Sequence, residues 1–423
     1  MARTNIEPVT SETNAPKYWV LILAVVAAAM STAEIISGSM LPLMAAGLNT
    51  TEGMAGQAVT ASAITSIFTS LWIGKIAGNH DRRRLMIVFI IFLIASNVGV
   101  AMAPNVWFML GARLLLGVAI GIIWGLIPAV VLRLSPKGQF SRSFAMVMIG
   151  VSTASLIGAP LSAYIGALLS WRVVYLGATA LAILALVLLV VAFPPLPARP
   201  GVLNRDIRGT FRLPGMMTGM LAILLLFGGA QTFFGYVVPF LETVTGLNAS
   251  GISMALLLVG VSGLAGTLTA PRLLTMSIRG VLVIAPATMA VLLGLLLMFG
   301  HMIVPTLLII MAWWFARSMM GVGANAWIAD RFSDNVEGAG GVLVAVIQTA
   351  MMLGAILGGV LIDTSGPGVP PIAGAIILVI GSIVTLFAMR PPSVQIPDIE
   401  MERLHTPGSL PLGNGAIVAD ELA

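Results

Sequence analysis

Apolar residues run along most of the chain for twenty or more positions at a time, with no polar face, and short polar segments separate the runs. A helix needs about 20 apolar residues to cross the hydrocarbon core of a bilayer. Twelve runs meet that length, at roughly 18–45, 53–76, 84–103, 106–133, 141–169, 172–193, 215–241, 250–274, 280–299, 302–328, 339–363 and 370–389. They predict twelve membrane-spanning helices joined by short loops. One interval, 194–214, is longer, basic and Pro-rich, with no apolar period. It reads as a linker between an N-terminal six-helix bundle, 18–193, and a C-terminal six-helix bundle, 215–389. Residues 1–17 read as a short polar segment without a signal-peptide pattern. The Pro/Gly-rich stretch 390–423 reads as a disordered tail.

Composition agrees with this pattern and excludes other classes. Of 423 residues, 58% are hydrophobic and 9% charged, against about 25% charged in ordinary soluble domains. The expected class is an all-α polytopic membrane protein. Cysteine is absent, which excludes disulfides and thiol chemistry. The formal net charge is +5, but the cations are scattered over short loops, so no nucleic-acid partner is expected. Placing the N-terminus in the cytoplasm puts eighteen of the 21 Lys and Arg residues in cytoplasmic segments. The positive-inside rule then puts both termini there. The histidines, His80, His301 and His405, fall in loops or the tail. With no H-E-x-x-H and no G-x-x-x-x-G-K-[ST] sequence, neither an enzyme nor ATP-driven transport is expected. No metal and no cofactor are expected either.

The two halves repeat each other in the same order. GLNTTEGMAG at 47–56 matches GLNASGISMA at 246–255, and VLRLSP at 131–136 matches ADRFSD at 329–334. GAPLSAYIG at 158–166 matches GAILGGVLI at 354–362, and A-R-x-x-x-G-V recurs around Arg113 and Arg317. Parallel repeats of this kind mark a transporter whose site lies where the halves meet.

These motifs resemble the major facilitator superfamily over nearly the whole chain, within its twelve-helix drug/proton antiporter branch. Arg113 corresponds to that branch's fourth-helix arginine. Gly158, Ala159 and Pro160 resemble its fifth-helix antiporter motif in shortened form. GKIAGNHDRRR, at 74–84, resembles the superfamily's cytoplasmic gating sequence, although Gly78 stands where its acid is expected and Asp81 follows three residues later. The resemblance implies gating roles for Asp81, Arg82, Arg83, Gly158 and Pro160. EGMAGQAVTASA at 52–63, GARLLLGVAIG at 111–121 and AVIQTAMMLGAILGG at 345–359 resemble bacterial purine ribonucleoside exporters.

Ionisable residues inside spans are costly and mark function by default. Glu34 is about ten residues from the outer end of the first span and Arg113 about eight from the outer end of the fourth. At about 1.5 Å per residue the two lie at similar depth. Burial and a neighbouring cation act in opposite senses on a carboxyl, so this pair can load and release a proton. The alternative is a fixed structural ion pair. The resemblance, in which a first-helix acid carries the proton, favours coupling. Arg317 has no acid of its own depth and can share Glu34, bind backbone carbonyls or face substrate. Its planar fork suits a 6-oxopurine edge or a carboxylate.

Helical spacing puts Arg113, Gly117, Gly121 and Trp124 on one face, and Trp313, Arg317, Gly321 and Asn325 on another. The glycines either admit a neighbouring helix or leave room for ligand. Gln231, Phe234 and Gln348 complete the expected substrate-binding set. Gly150, Gly158 and Gly166 predict a close helix contact near the meeting of the halves. Trp19, Trp107 and Trp171 sit at span ends as interface anchors.

The expected function is secondary active efflux: proton antiport by alternating access, exporting purine ribonucleosides such as inosine and guanosine. The protein is expected to act as a monomer in a bacterial inner membrane, its partners being small-molecule substrate, protons and lipid. The alternatives are export of lipophilic drugs or sugars, and a non-transporting membrane sensor.

Overall fold

Polar residues at the loop edges start the helices. Thr51 accepts from the Met54 amide, Asp81 from Arg84, Asn105 from Phe108, Ser170 from Val173, Asn248 from Gly251 and Ser277 from Gly280. Each side chain satisfies a donor that the first helical turn leaves free. Between these caps the structure, a computed structural model, is almost wholly helical. It describes residues 18–198 and 207–389. The expected 1–17 segment, the linker residues 199–206 and the expected tail 390–423 lie outside the described residues.

The first bundle comprises α1 (Trp19–Ser39), α2 (Leu41–Gly47), α3 (Glu52–Leu71), α4 (Ile73–Ala77), α5 (Arg82–Ala101), α6 (Val106–Leu134), α7 (Phe140–Leu168) and α8 (Trp171–Val191). The linker carries a short helix, α9 (Ile207–Phe211). The second bundle comprises α10 (Met216–Phe234), α11 (Val237–Thr243), α12 (Ala249–Met276), α13 (Ile278–Phe299), α14 (Ile303–Arg331), α15 (Val336–Ser365) and α16 (Val369–Ala388). All twelve expected spans are present, and three are broken. The first bends between α1 and α2, the second between α3 and α4, the seventh between α10 and α11. Among the described residues eleven helical segments are long and apolar enough to cross a membrane. The helix of the remaining span, α3, is too polar to meet that measure.

Within the first bundle α1 packs on α7 and α8, α3 on α6, and α5 on α6 and α8. In the second, α10 packs on α15 and α16, α12 on α14, and α13 on α14 and α16. The repeat is visible in single contacts. Arg83, opening α5, donates to the Leu189 and Val190 carbonyls that end α8; Arg279, opening α13, donates to the Leu386 carbonyl that ends α16. In both, a cation meets the negative end of a neighbouring helix.

Glycines set the closest crossings. A Cβ on Gly117 would lie 2.3 Å from the Ser62 carbonyl oxygen, and one on Gly121 2.2 Å from Thr69 Oγ1. This face of α6 is therefore filled by α3 and leaves no ligand space. The Gly150, Gly158 and Gly166 series also differs from expectation. Gly150 abuts the Ala24 backbone, Gly166 abuts Met40, and Gly158 has open space beside it. The stripe faces the first span of its own bundle. The face of α7 that meets the other bundle carries Ser152, bonded to Thr267 at 3.4 Å, and Leu156, packed at Gly260.

Candidate functional site

In the first bundle Arg113 is 1% exposed and Glu34 partly buried. Arg113 is the cation whose field reaches the Glu34 carboxyl. The two do not meet directly: no ion pair joins them among the described residues. Arg113 Nη2 instead donates to the Ala33 carbonyl at 3.2 Å, while its Nε and Nη1 are buried without partners. The guanidinium also sits 5.8 Å from the Tyr175 ring. Tyr175, buried on α8, shares a 3.1 Å hydrogen bond with Ser37 of α1. Trp124 is partly buried against the core of this bundle. Trp107 is exposed, as an interface anchor should be, but Trp19 and Trp171 are packed inside, Trp171 edge-on to Tyr175 and against Gly47.

In the second bundle Arg317 lies among rings. Its guanidinium is 5.0 Å from Trp314 and 5.9 Å from both Phe227 and Phe234. Ring faces attract a cation through their quadrupole. Neither Glu34 nor a backbone carbonyl holds it among the described residues, and its Nε is buried without a partner. A Cβ on Gly321, one turn along, would meet nothing within 4 Å. The equivalent step from Arg113 is blocked by α3, so the two halves place their arginines in opposite settings.

The helices that carry these rings hold two more buried polar atoms without partners, Gln231 Oε1 of α10, beside Gly354, and Trp313 Nε1 of α14. Phe234 and Trp314 approach to 4.1 Å between centroids, and Trp313 stacks on Phe234 at 6.3 Å and 13°. Trp313 is 1% exposed and edge-on to Phe233; its indole faces the core. Trp314 and Phe227 were not anticipated. The i, i+4 step singled out Trp313, whereas i, i+3 lies on the same helical face equally well and leads from Trp314 to Arg317. Asn325 spends its amide on the Gly321 carbonyl at 3.0 Å. Gln348 Nε2 donates across the bundles to Ser66 Oγ at 3.1 Å.

The end of the bundles that carries the linker is fastened by a charged clamp. Arg82 Nε and Nη2 reach Glu337 Oε1 and Oε2 at 2.6 and 2.7 Å. This bidentate pair joins the start of α5 to the first turn of α15. Arg82 Nη1 takes the carbonyls of Gly78 and His80 at 3.2 and 2.5 Å. Gly78 has φ +33, in the range that favours glycine, and contributes a carbonyl where the resemblance leads one to expect an acid. The carboxylate comes from Glu337, in the other half. Its signal was available: an acid opening the eleventh span on the side of the basic loop. Asp81 caps α5, and Arg83 ties α5 to α8, so neither bridges the bundles. Gly341 packs against Ser70 and Ile73 just inside the clamp. Pro160 belongs to α7, and its side chain lies outside the described ones.

Comparison with known proteins agrees with this architecture. The chain matches the Major Facilitator Superfamily over residues 23–323. It is 36% identical over 375 residues to the transcription regulatory protein OpdE of Pseudomonas aeruginosa, covering 88% of this chain and 93% of that one. It is 32% identical over 350 residues to the purine ribonucleoside efflux pump NepI of Salmonella paratyphi B, covering 82% and 88%. Among solved structures, the proton:xylose symporter XylE bound to 6-bromo-6-deoxy-D-glucose superposes with a TM-score of 0.75 at 16% identity, covering 88% of this chain and 95% of that one. The family match, the two related chains and the shared fold agree: this multi-pass membrane protein belongs to the major facilitator superfamily.

Proposed function

We propose that the protein is a proton-coupled exporter of purine ribonucleosides in a bacterial inner membrane, working as a monomer by alternating access. The observation that carries this reading is the ring cluster of the second bundle. One unpartnered acceptor, Gln231 Oε1, and two unpartnered donors, Trp313 Nε1 and Arg317 Nε, belong to the two helices that build it, and Gly321, one turn from Arg317, has open space beside it. Unpaired buried polar groups cost about 1–3 kcal/mol each. A planar base with a keto oxygen and a ring N–H satisfies both kinds, and aromatic faces stack on it. Phe234, Trp314 and Phe227 supply those faces; Trp124, Asn325 and Gln348 border the route between bundles. The resemblance to an efflux pump for purine ribonucleosides supports the same substrate.

Proton coupling falls to the first bundle. Glu34 loads a proton from the far side, Arg113 responds to its charge, and the bundles rock about the fastened end. With the basic residues inside, the linker end is cytoplasmic. The Arg82–Glu337 clamp then closes the cytoplasmic side. Asp81 and Arg83 hold the helix that carries the clamp, and Gly158 and Pro160 let α7 flex. The bundles are the units 18–193 and 215–389.

The test is transport into inverted vesicles under an imposed pH gradient. Labelled inosine should accumulate, guanosine should compete, and arabinose should not. Glu34→Gln should abolish accumulation while leaving inosine exchange at equal pH intact. Chloramphenicol carried in place of inosine would move the protein to drug export. Continued ΔpH-driven accumulation in Glu34→Gln would overturn the proton role. A second reading, a membrane sensor, draws on the relative named a transcription regulatory protein. Vesicles that bind inosine without moving it would favour it.

A further inference from the structure

Three donors compete for one carbonyl beside Glu34. The α1 ladder aims the Ser37 amide at the Ala33 oxygen. Ser37 Oγ also lies 3.2 Å from it, and so does Arg113 Nη2. A carbonyl oxygen has two lone pairs, so the serine hydroxyl and the arginine contend for the second. The hydroxyl has an alternative, because Tyr175 Oη is 3.1 Å from Ser37 Oγ and either can donate. Tyr175 in turn has an alternative acceptor, Met44 Sδ at 3.7 Å.

We infer that Tyr175 and Ser37 form a hydroxyl switch that decides whether Arg113 is held by the Ala33 carbonyl or turns to the Glu34 carboxylate. In one setting Tyr175 donates to Met44 and Ser37 donates to Tyr175. The second lone pair of Ala33 is then left to Arg113. In the other setting Tyr175 donates to Ser37 and Ser37 donates to Ala33. Arg113 loses its acceptor, and with Nε and Nη1 already unpartnered it turns to the carboxylate one residue along. No covalent bond breaks: two hydroxyl hydrogens rotate and the guanidinium reorients. Among the described residues, the titratable groups that α1's neighbours bring to this depth are Arg113 of α6 and Tyr175 of α8. Near it lie Tyr164 of α7, which is exposed, and, one turn from Tyr175 on α8, Arg172, which donates to the Ala103 carbonyl; the charged residues of α5 lie at the linker end, and α3 brings none to this level.

This inference rests on Glu34 as the proton carrier, and its test separates the two claims. Tyr175→Phe removes the alternative acceptor, so Ser37 stays on Ala33 and Arg113 is pushed to Glu34. Ser37→Ala removes the competitor, so Arg113 stays on Ala33. A cation beside a carboxylate favours its charged form. The pH midpoint of ΔpH-driven inosine transport should therefore move to lower pH in Tyr175→Phe and to higher pH in Ser37→Ala, each by about one unit, a tenfold change in proton binding. Ser37→Thr keeps the hydroxyl and should keep the wild-type profile. Inosine exchange at equal pH checks that each protein is folded and carries substrate. Opposite shifts support the switch. Unchanged midpoints, shifts in the same direction, or loss of exchange in both variants would overturn it. If Glu34→Gln still accumulates substrate, it is the proton role itself that fails.

Discussion

A guanidinium inside a membrane protein must be hydrated, paired or held against rings, and Arg317 is held by Phe227, Phe234 and Trp314. The sequence showed that it lacked an acid at its own depth. It could not show the rings, since the neighbours at i−3 and i−4 are both tryptophans and only packing chooses between them. The charge and the plane of this side chain act separately. Lysine keeps the charge but loses the planar fork and the fit to ring faces. Arg317→Lys should raise KM for inosine about tenfold, roughly 1.4 kcal/mol of binding, with kcat little changed. Initial-rate kinetics in inverted vesicles measure both constants, and an unchanged KM would remove Arg317 from the substrate site.

At the scale of elements, the lengths and ends of the helices were legible because apolar runs and capping residues mark them. Pro42 and Pro239 lie just beyond the breaks at Met40 and Gly235 and signal them, whereas the break at Trp72 has no such mark, because the apolar pattern continues through the bend. The glycines were ambiguous for a different reason. Close packing and open space both call for the smallest residue, so Gly117 and Gly321 look alike in the sequence. The structure separates them: the first abuts α3, the second abuts nothing. Overpacking a tight contact costs about 1–3 kcal/mol. Gly117→Ala should therefore lower the melting temperature in detergent by several degrees. Gly321→Ala should leave it unchanged or slightly raise it, since alanine favours helix by about 1 kcal/mol, but should weaken inosine transport by narrowing the space beside Arg317. Thermal melts and uptake on the two proteins, side by side, decide it.

At the scale of the molecule, the repeat and the bundle architecture could be read from four matching segments, whereas the clamp offered only its parts, a basic loop and an acid opening the eleventh span, and not their pairing. The gating sequence lacks its acid at Gly78, and the replacement lies 255 positions beyond Arg82, at Glu337. Only folding brings those residues together. Removing one partner of a largely buried pair leaves a charge uncompensated, so Glu337→Gln should open the linker end. The absence of native cysteine makes this measurable. A single cysteine at Ser70, under the clamp, should react several times faster with a water-soluble thiol reagent when Glu337→Gln is present. Equal rates would show that the clamp does not hold this end closed.

The polarity of α3 has a consequence for how the protein is made. Its buried serines and its threonines bond back to their own helix, Ser62 to Val59, Thr65 to Ala61, Ser66 to Ala63 and Ser70 to Ile67. That hides the hydroxyls only in part, and the glycine face that receives them belongs to α6. During synthesis α3 leaves the ribosome some fifty residues before that face exists. On insertion scales polar residues near a helix centre oppose partition into lipid. By composition the second span, whose helix alone among the described spans misses the apolar measure, is expected to enter the bilayer least readily and to gain from the arrival of the fourth. Insertion of the second span is therefore expected to depend on Gly117 and Gly121, and a chain truncated before the fourth span should leave the second less completely inserted in a glycosylation-mapping assay; equal insertion would remove that dependence.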